Sequence, residues 1–528
     1  MDTFHQRIRQ SLANETLQIA LDANAERRVQ GRINAFASLP DWKERRQQAH
    51  AIRADVIEHL DEYLDQFISN AQNNGITIHR AKDANEAINI FMNIVGADDG
   101  PSLLIAKSKS MVSEELDFNQ VLDAKGMRVV ETDLGEYIVQ LRGEKPAHII
   151  TPAVHLRRPE VGQLFHEKLG EPYTEDIPTL VNVARKVLRE VFLTADIGVS
   201  GANFGVAETG GICLVTNEGN GRMVTTLPPI HIALMGMERL VRSFDDLAIM
   251  LSLLPRSATG QKLSVYTQII HKPLDGQQRH IIILDNGRTR LRNSPLKESL
   301  YCIRCGSCLN ACPVFREIGG HAYVGKSGAA SPYSGPIGSV ISAGLFGSDF
   351  VPLAQASSLC GACKDACPVD IDLPKLLTRV RAGLSDTKEG KTLAPGASAG
   401  AKEQGLSSMG KHFLQIFGRV ATHPSLFAVL QRFAALGTHL ISPFSSMVRM
   451  PAVTGWGYSK DLPRFASKPF RARFKKLQVD SKVSRLSSEK RTAMSGDIAV
   501  QTNQTPSHDF ITELTAVGGH VIPIESMS

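Results

Sequence analysis

The first 74 residues carry an apolar stripe behind a polar face. The stripe is clearest near the end of this region, where it runs through Ile57, Leu60, Leu64, Phe67 and Ile68. Apolar residues at this helical spacing lie on one side of an α-helix, and packing against a core is their ordinary role. Residues 1–74 are therefore predicted to form a helical region.

From Gly75 the pattern changes to short apolar runs that alternate with helical stretches. The short runs predict strands over 75–81, 102–108, 128–133 and 136–141. Helical spacing predicts helices over 83–95 and 111–126. Alternation at this spacing is typical of an α/β layer fold with a largely parallel sheet, which we assign to residues 75–290.

The composition is that of a globular protein, with 42% hydrophobic residues, 21% charged residues and a formal net charge of +6. A transmembrane helix needs about 18 or more uncharged apolar residues in a row, and the sequence contains no such window. The opening MDTFHQRIRQ is too polar for a signal peptide. We therefore predict a cytoplasmic location.

Seven of the eight cysteines fall in two short runs, at the spacing of metal ligands rather than of disulfides. The first run, 302-CIRCGSCLNACP-313, reproduces the C-x2-C-x2-C-x3-C-P pattern of a bacterial [4Fe–4S] ferredoxin. In proteins with two clusters, the fourth cysteine of such a run ligates the other cluster. The remaining cysteine, Cys213, is predicted to be a small buried apolar residue.

The second run, 360-CGACKDACP-368, has three cysteines where the first has four. Aligning the two runs on their C-x3-C-P ends places Ser357 at the missing first position. A crossed assignment then follows for two clusters. The first cluster takes Cys302, Cys305, Cys308 and Cys367, and the second takes Cys312, Cys360 and Cys363.

The fourth ligand of the second cluster stays open at this stage. Ser357, another oxygen or nitrogen group, or an external ligand completes a [4Fe–4S] centre, or the fourth iron is absent and the centre is [3Fe–4S]. Tetrahedral zinc is the competing interpretation, because paired C-x2-C motifs also bind Zn²⁺. Seven cysteines with two C-P endings fit two iron–sulfur clusters better.

The sequence also resembles a known family beyond its cysteines. The segments that carry the resemblance are 131-ETDLGEYIVQLRGEKPAHIITPAVH-155, 207-AETGGICLVTNEGNGRMVTTLPPIHIALMG-236, 301-YCIRCGSCLNACPVF-315 and 455-GWGYSKDLPRF-465. They are similar to the lactate utilization protein B family, iron–sulfur proteins of bacterial L-lactate oxidation. The resemblance implies that residues 75–290 fold like the CoA-transferase and phosphosugar isomerase superfamily, and that 291–385 form a helical, ferredoxin-like module with two clusters.

The same resemblance implies that all seven clustered cysteines occupy ligand positions, including the three of the shorter run. It also implies partners, namely other lactate utilization subunits, one of which carries the Cys-Cys-Gly motifs of another iron–sulfur module. This chain contains no adjacent cysteines, so that module belongs to a different subunit.

The C-terminal part is predicted from composition. Residues 386–410 are predicted to be a linker, 411–475 a helical and basic region, and 476–528 a flexible tail. Residues 456–491 contain eleven Lys and Arg against three Asp and Glu, an excess of 11 − 3 = +8. A solvated surface is the ordinary explanation for this charge, and binding to an acidic partner or anionic lipid is the alternative. No nucleic-acid partner is predicted, because no nucleic-acid recognition motif accompanies the charge.

The helices predicted at about 411–450 are apolar but contain Pro424 and Pro443. They are too broken to span a membrane. Docking onto a partner or peripheral contact with a membrane surface is the alternative to simple packing.

Polar residues beside glycines in the α/β domain are candidates for a substrate pocket. They are Glu208, Thr209, Asn217, Glu218, Asn220 and His231. Of these, His231 and Glu208 are the catalytic candidates, His231 because an imidazole suits proton transfer from a hydroxyl group. The competing interpretations are a structural histidine and a hairpin turn at 217–221.

A glycine-rich insert, 319–347, separates the two cysteine runs and contains eight glycines. It is predicted to be either a flexible surface loop or a cover that lets a partner's cofactor approach the clusters.

These observations are compatible with two different functions, one in electron transfer and one in ligand binding. The first is an iron–sulfur electron-transfer component of a complex that oxidises L-lactate, or another 2-hydroxy acid such as glycolate. The second is a cluster-bearing assembly or regulatory subunit that binds a small acid without redox turnover.

Overall fold

The computed structural model describes residues 4–96, 103–383, 408–449, 451, 461–471, 473, 474 and 477. The chain divides into two compact units, Met1–Gly405 and Leu406–Ser528. The predicted linker up to residue 407, the predicted tail beyond residue 477 and most of the basic stretch 456–491 lie outside the described residues.

The first unit begins with four helices, which confirms the helical prediction for this region. They are α1 (Phe4–Leu12), α2 (Glu15–Ala37), α3 (Trp42–Glu58) and α4 (Leu60–Asn73). The Asn14 side chain caps α2 by accepting a hydrogen bond from the Leu17 N–H. From the predicted stripe, Leu60, Leu64 and Phe67 are buried against strands of the following domain.

Ten strands follow. They are β1 (Thr77–Ala81), β2 (Leu104–Lys107), β3 (Arg128–Glu131), β4 (Ile197–Gly201), β5 (Phe204–Val206), β6 (Gly211–Thr216), β7 (Ile230–Gly236), β8 (Leu240–Val241), β9 (Tyr266–Ile270) and β10 (Gln278–Leu284). Six form a parallel sheet in the order β1-β10-β7-β4-β2-β3. The other four form a smaller sheet in the order β8-β5-β6-β9. The α/β class with a parallel sheet is confirmed.

Helices connect and cover these strands. They are α5 (Ala84–Val95), α6 (Met111–Glu115), α7 (Phe118–Asp123), α8 (Leu134–Arg142), α9 (Arg158–Leu169), α10 (Ile177–Thr194), α11 (Asn220–Thr226), α12 (Phe244–Ala258) and α13 (Arg288–Arg292). A 3₁₀ turn at Met237–Arg239 follows β7.

Two local predictions in this domain are wrong. The predicted strand 136–141 is part of helix α8, which begins where Asp133 accepts hydrogen bonds from the Gly135 and Glu136 N–H groups and ends at Gly143 in the left-handed conformation. The apolar run inside it suggested a strand, but the caps on either side determine the helix. The predicted hairpin at 217–221 is also wrong, because β6 leads into α11 and pairs with β9.

The cysteine module is built from short helices. They are the 3₁₀ segment Lys297–Tyr301, α14 (Ser307–Asn310), α15 (Pro313–Ile318), α16 (Gly335–Phe346), the 3₁₀ segment Ser348–Gln355, α17 (Ala362–Asp365) and α18 (Leu373–Ala382). Helix α16 is buried over nearly its whole length. The glycine-rich insert is therefore not a flexible surface loop. A Cβ on Gly335 would lie 2.5 Å from Leu309 Cγ, so glycine permits this close packing.

The N-terminal helices pack directly on the cysteine module. Arg46 of α3 donates from Nε to the Cys367 carbonyl oxygen at 2.7 Å and from Nη2 to the Lys364 carbonyl oxygen at 2.6 Å. Asn24 of α2 donates to Asn310 Oδ1 at 3.3 Å. Fully buried Arg53 donates to carbonyl oxygens on both sides of the junction, among them those of Leu240 at 2.6 Å and Leu300 at 2.9 Å.

The described part of the second unit contains α19 (Ser408–Thr422), α20 (Pro424–Ile441) and the antiparallel pair β11 (Met447–Val448) and β12 (Leu462–Pro463). The predicted helices in this region are confirmed. Within the described residues, no single helix is long and apolar enough to cross a membrane. One bent pair, His412–Thr422 with Pro424–Ile441 at 114°, has the necessary length and composition.

A buried ionic network connects α13 of the α/β domain with α6 and with the turn after β7. Arg288 has no exposed side-chain surface and donates from Nη1 and Nη2 to both carboxylate oxygens of Glu115, at 2.9 and 2.6 Å. Its Nε donates to Glu238 Oε2 at 2.5 Å. Burial by itself would raise the pKa of Glu238, but the charges of Arg288 and Arg304 lower it to about 2.

We predict that replacing Arg288 by Met destabilises the protein by about 3–5 kcal/mol, because two buried carboxylates lose their partner. Urea unfolding followed by circular dichroism measures this loss. Arg292→Met, which removes a surface pair with Asp61, is the matched control and costs about 1 kcal/mol or less. Equal effects of the two substitutions would contradict the prediction.

Candidate iron–sulfur centre and adjoining cavity

The first cysteine loop curls around its thiols through two left-handed residues. Arg304 and Gly306 have φ values of 58° and 71° and stand on either side of Cys305. Helix α14 then carries Cys308, and Cys312 caps α15, where its Sγ accepts a hydrogen bond from the Phe315 N–H at 3.4 Å. The loop thus buries three thiols while short helical turns reverse the chain between them.

The second loop repeats this backbone. Leu359 and Gly361 have φ values of 56° and 92° and stand on either side of Cys360, and α17 carries Cys363. The correspondence pairs Cys360 with Cys305 and Cys363 with Cys308. It therefore pairs the first position of the second loop, Ser357, with Cys302.

A shared hydrogen bond shows the same correspondence. The Arg304 N–H donates to Cys302 Sγ at 3.3 Å, and the Leu359 N–H donates to Ser357 Oγ at 3.1 Å. The hydroxyl of Ser357 therefore takes the place in its loop that the thiol of Cys302 takes in the first. The missing ligand position holds an oxygen atom.

The structure brings the seven cysteines into two adjoining groups. After burial, which is the largest cause, neighbouring Cys302 and Cys367 raise the pKa of Cys305. Likewise Cys360 contributes to the raised pKa values of Cys312 and Cys363. These proximities match the groups that the crossed assignment requires, and the assignment itself stays a prediction.

Several observations fit these groups to iron–sulfur clusters. Burial raises the pKa of the Cys363 and Cys367 thiols to about 12, so thiolates there need a compensating cation, which bound iron provides. The Ile371 N–H donates to Cys367 Sγ at 3.4 Å, as expected for donors around cluster sulfur. When bound, such clusters accept and release single electrons.

Tyr323 supplies a further donor between the two groups. Its side chain is buried, and its hydroxyl has no hydrogen-bond partner among the described residues. Burial is the largest cause of its raised pKa, and Cys312 and Cys308, one from each group, add to it. A buried hydroxyl without an acceptor is costly, and a cluster sulfur would accept a hydrogen bond from it.

The two loops differ in exposure. Cys360 is exposed together with Ser358 and Leu359, whereas Cys305 and Cys308 are buried. The second loop therefore reaches the protein surface.

The first loop borders a cavity of about 380 Å³ against the α/β domain. Its polar lining includes Arg28, Lys109, Asn217, Glu218, Asn220, Arg239, Arg304 and Tyr333. Lys109 Nζ and Arg304 Nη1 are buried and have no hydrogen-bond partner among the described residues. Lys109 Nζ lies 3.7 Å from Glu136 Oε1 and Arg304 Nη2 lies 3.5 Å from Glu238 Oε1. Both cations therefore have a carboxylate nearby but keep an unfilled donor, which suits a small anion.

The cavity is tied to the cysteine loop through its arginines. Arg239 donates from Nη1 to the Cys302 carbonyl oxygen at 2.9 Å. Arg304 lies between Cys302 and Cys305 in the chain, and its guanidinium stacks over the Tyr333 ring at 4.4 Å. An anion bound in the cavity would thus lie next to the first cysteine group.

Glu218 places a titratable carboxyl in the same cavity. Burial, followed by the neighbouring Asp133, raises its pKa to about 7, while the Leu134 N–H donates to its Oε2 at 3.1 Å and, with Lys109, opposes the shift. A carboxyl with this pKa exchanges a proton readily near neutral pH.

The sequence candidates divide by location. Asn217, Glu218 and Asn220 line the cavity. His231 is buried in β7, where its Nε2 lies 2.9 Å from Ser200 Oγ, and burial lowers its pKa well below the usual value. Glu208 and Thr209 belong to the turn before β6. Neither His231 nor Glu208 lines this cavity, so catalytic roles for them stay predictions.

Sequence reasoning missed Lys109, Arg239, Arg304 and Tyr333. Lys109 follows β2, at the carboxyl end of a parallel strand where ligands often bind, and this position was a usable signal. The other three come from the 3₁₀ turn after β7, the first cysteine loop and the glycine-rich insert, and only the tertiary fold brings them together.

The fold and the cysteine groups define a two-part iron–sulfur protein, an α/β domain joined to a module with two cysteine loops. Family comparison agrees, since residues 64–288 match the LUD domain and residues 298–371 match the 4Fe-4S dicluster domain. The chain belongs to the lactate utilization protein B family.

Individual relatives support this membership. The chain is 39% identical over 500 residues to lactate utilization protein B of Bacillus subtilis (strain 168), covering 92% of this chain and 98% of that protein. It is 38% identical over 488 residues to the uncharacterized electron transport protein YkgF of Escherichia coli (strain K12), covering 91% and 98%. The match to a crystal structure of a DUF162 family protein from Deinococcus radiodurans covers 43% of this chain and 98% of that one, with 13% identity and a TM-score of 0.23.

We predict that mild oxidation of the anaerobically purified protein produces the near-isotropic electron paramagnetic resonance signal of a [3Fe–4S] centre, because the second cysteine group has three thiols. Ser357→Cys supplies the fourth thiol at the position of the Ser357 hydroxyl and suppresses the signal. Ser358→Cys, at the exposed neighbour, is the control and leaves the signal in place. If the unmodified protein instead shows two [4Fe–4S] spectra that resist oxidation, the second cluster does not have an iron that lacks a thiolate ligand.

We also predict that Cys213→Ala leaves the iron and sulfide content unchanged. Cys213 is fully buried on β6, where it pairs with Phe204 of β5 and Ile269 of β9. Colorimetric iron and sulfide assays on the purified variant measure this. Loss of iron would show that Cys213 contributes to a cluster.

Proposed function

We propose that this protein is the iron–sulfur electron-transfer component of a complex that oxidises L-lactate to pyruvate. The observation that carries the proposal is the arrangement of the cysteine module, in which the first loop borders an anion-suited cavity and the second reaches the surface. The names of its relatives, lactate utilization protein B and an electron transport protein, support both parts of the proposal.

The cavity chemistry suits a small 2-hydroxy acid. Lys109 and Arg304 offer donors to a carboxylate, and Glu218 is placed to accept the hydroxyl proton as the alcohol becomes a ketone. The accompanying hydride requires a two-electron acceptor of the flavin class, which we assign to a partner subunit.

The partners in this proposal are other lactate utilization subunits, including one with Cys-Cys-Gly iron–sulfur motifs. The exposed surface around Cys360 supports an electron-transfer contact there, since Leu359 adds an apolar side chain that is 38% exposed.

The cavity also favours the second candidate function, a subunit that binds a small acid without redox turnover. Binding of an acid alone does not separate the two functions. Reduction of the clusters by that acid does.

The experiment that separates the two functions is anaerobic reduction of the clusters, which is measured as bleaching of their visible absorption. We expect L-lactate to bleach the protein when its co-purified partner subunits are present, and not when it is alone. Glycolate and other 2-hydroxy acids tested in parallel define the substrate. A protein that stays oxidised with every acid in the assembled complex would favour the binding subunit.

We predict that binding of pyruvate, the product that would leave Glu218 protonated, to the isolated protein weakens about tenfold between pH 6 and pH 8. Below its pKa of about 7, Glu218 is neutral; above it, the carboxylate repels the anion, and the fraction of binding-competent protein falls about tenfold over this range. Isothermal titration calorimetry measures the affinities.

Glu218→Gln should bind at both pH values with nearly equal affinity. Glu208→Gln, which changes a glutamate outside the cavity lining, is the matched control and keeps the pH dependence. A pH dependence that survives in Glu218→Gln would refute the role of this carboxyl.

A further inference from the structure

A second cluster of ligand-type side chains lies outside the cysteine groups and the cavity lining. Glu144 and His155 come from the segment between α8 and α9, and His321 comes from the start of the glycine-rich insert. One ligand atom from each of the three lies within 4.8 Å of the other two. All three side chains are partly buried.

The backbone packing that brings these segments together is tight. A Cβ on Gly320 would lie 1.7 Å from the carbonyl oxygen of Ala147, so only glycine allows His321 this close to the segment from the α/β domain. The trio therefore bridges the α/β domain and the cysteine module.

Glu144 and His321 are each oriented by a contact outside the trio. His321 Nε2 lies 2.7 Å from the Lys145 carbonyl oxygen, which only accepts, so Nε2 carries the proton and Nδ1 keeps its lone pair. Arg142 donates from Nε to Glu144 Oε1 at 2.9 Å, which leaves Oε2 facing His155. Such outer contacts fix the ligands of metal sites.

The hydrogen bonding within the trio is incomplete. His155 Nε2 lies 2.7 Å from Glu144 Oε2, yet His155 Nδ1 is buried and has no hydrogen-bond partner among the described residues. His155 and His321 meet edge to face with ring centroids 4.5 Å apart. A purely structural network would be expected to satisfy that nitrogen.

We propose that Glu144, His155 and His321 form a mononuclear site for a divalent transition-metal ion, with zinc as the ion of choice. Two imidazoles and one carboxylate are a known zinc ligand set, with water in the fourth position. At metal–ligand distances of about 2.0–2.2 Å, ligand atoms of one tetrahedral ion lie about 3.3 Å apart, so the trio reaches this geometry with small side-chain movements.

The surroundings select against hard cations. Ca²⁺ and Mg²⁺ need several oxygen ligands, and the trio offers a single carboxylate beside two imidazoles. Imidazole ligands favour zinc and its neighbours in the transition series. Held by one ligand from the module and two from the α/β domain, the ion clamps the junction beside α15, whose N-terminal residue follows Cys312.

The test is zinc retention by the full chain, purified anaerobically with its clusters in place. After incubation with Zn²⁺ and desalting, mass spectrometric metal analysis should find one zinc per chain. His155→Ala and His321→Ala should each weaken zinc binding at least about tenfold. His79→Ala is the matched control and should retain zinc. His79 belongs to another close histidine pair, in which its Nε2 lies 3.1 Å from His280 Nδ1.

Two further measurements separate the alternatives. Unchanged iron and sulfide in each variant shows that the protein is folded and that zinc is not bound by cluster cysteines. Glu144→Gln keeps the shape of the side chain and should also lose zinc. Absence of bound zinc in the unmodified protein, or retention of zinc by both histidine variants, would overturn the proposal. Loss of iron on His321→Ala would overturn it as well, by making His321 a ligand of the second cluster.

Discussion

The Glu238 carboxylate is the point on which the two parts of the molecule depend. It lies just after the central strand β7, is almost fully buried, and is held by Arg288 from one side and approached by Arg304 from the cysteine loop. A buried charge is tolerated only when paired, so these arginines are fixed by the same requirement that stabilises the carboxylate. Arg304 in turn borders both the cavity and the first cysteine group, and the position of the site follows from this pairing.

The two cysteine loops share one backbone conformation, although the second has one thiol fewer. Each places one cysteine, Cys305 or Cys360, between two left-handed residues and the next, Cys308 or Cys363, on a single helical turn. Ser357 Oγ accepts the same backbone hydrogen bond that Cys302 Sγ accepts at the equivalent position. The loop conformation is therefore encoded by the glycines and the turn chemistry as well as by the metal.

The sequence predicted what depends on local pattern and spacing. The N-terminal helices, the parallel α/β class and the grouping of cysteines into two loops follow from periodicity and ligand gaps. The strand predicted at 136–141 failed because an apolar run in a short helix looks like a strand unless Asp133 and Gly143 are recognised as caps.

The cavity was only partly predictable. Asn217, Glu218 and Asn220 stand in one polar, glycine-rich stretch and could be found there. Lys109, Arg304 and Tyr333 are separated by about two hundred residues or lie in segments with other apparent roles, and no local pattern links them. His231 drew attention through its residue type alone, which says nothing about burial inside a sheet.

The contacts of α2 and α3 with the cysteine module also constrain the order in which the parts of the fold can form. Arg46 binds backbone carbonyls of the last cysteine loop, and Asn24 reaches the first, although some three hundred residues separate them in the chain. Contacts this distant in sequence form late in folding, because the entropy of closing so long a loop opposes them. These contacts can therefore form only after both cysteine loops, which follow α2 and α3 by some three hundred residues, have been synthesised.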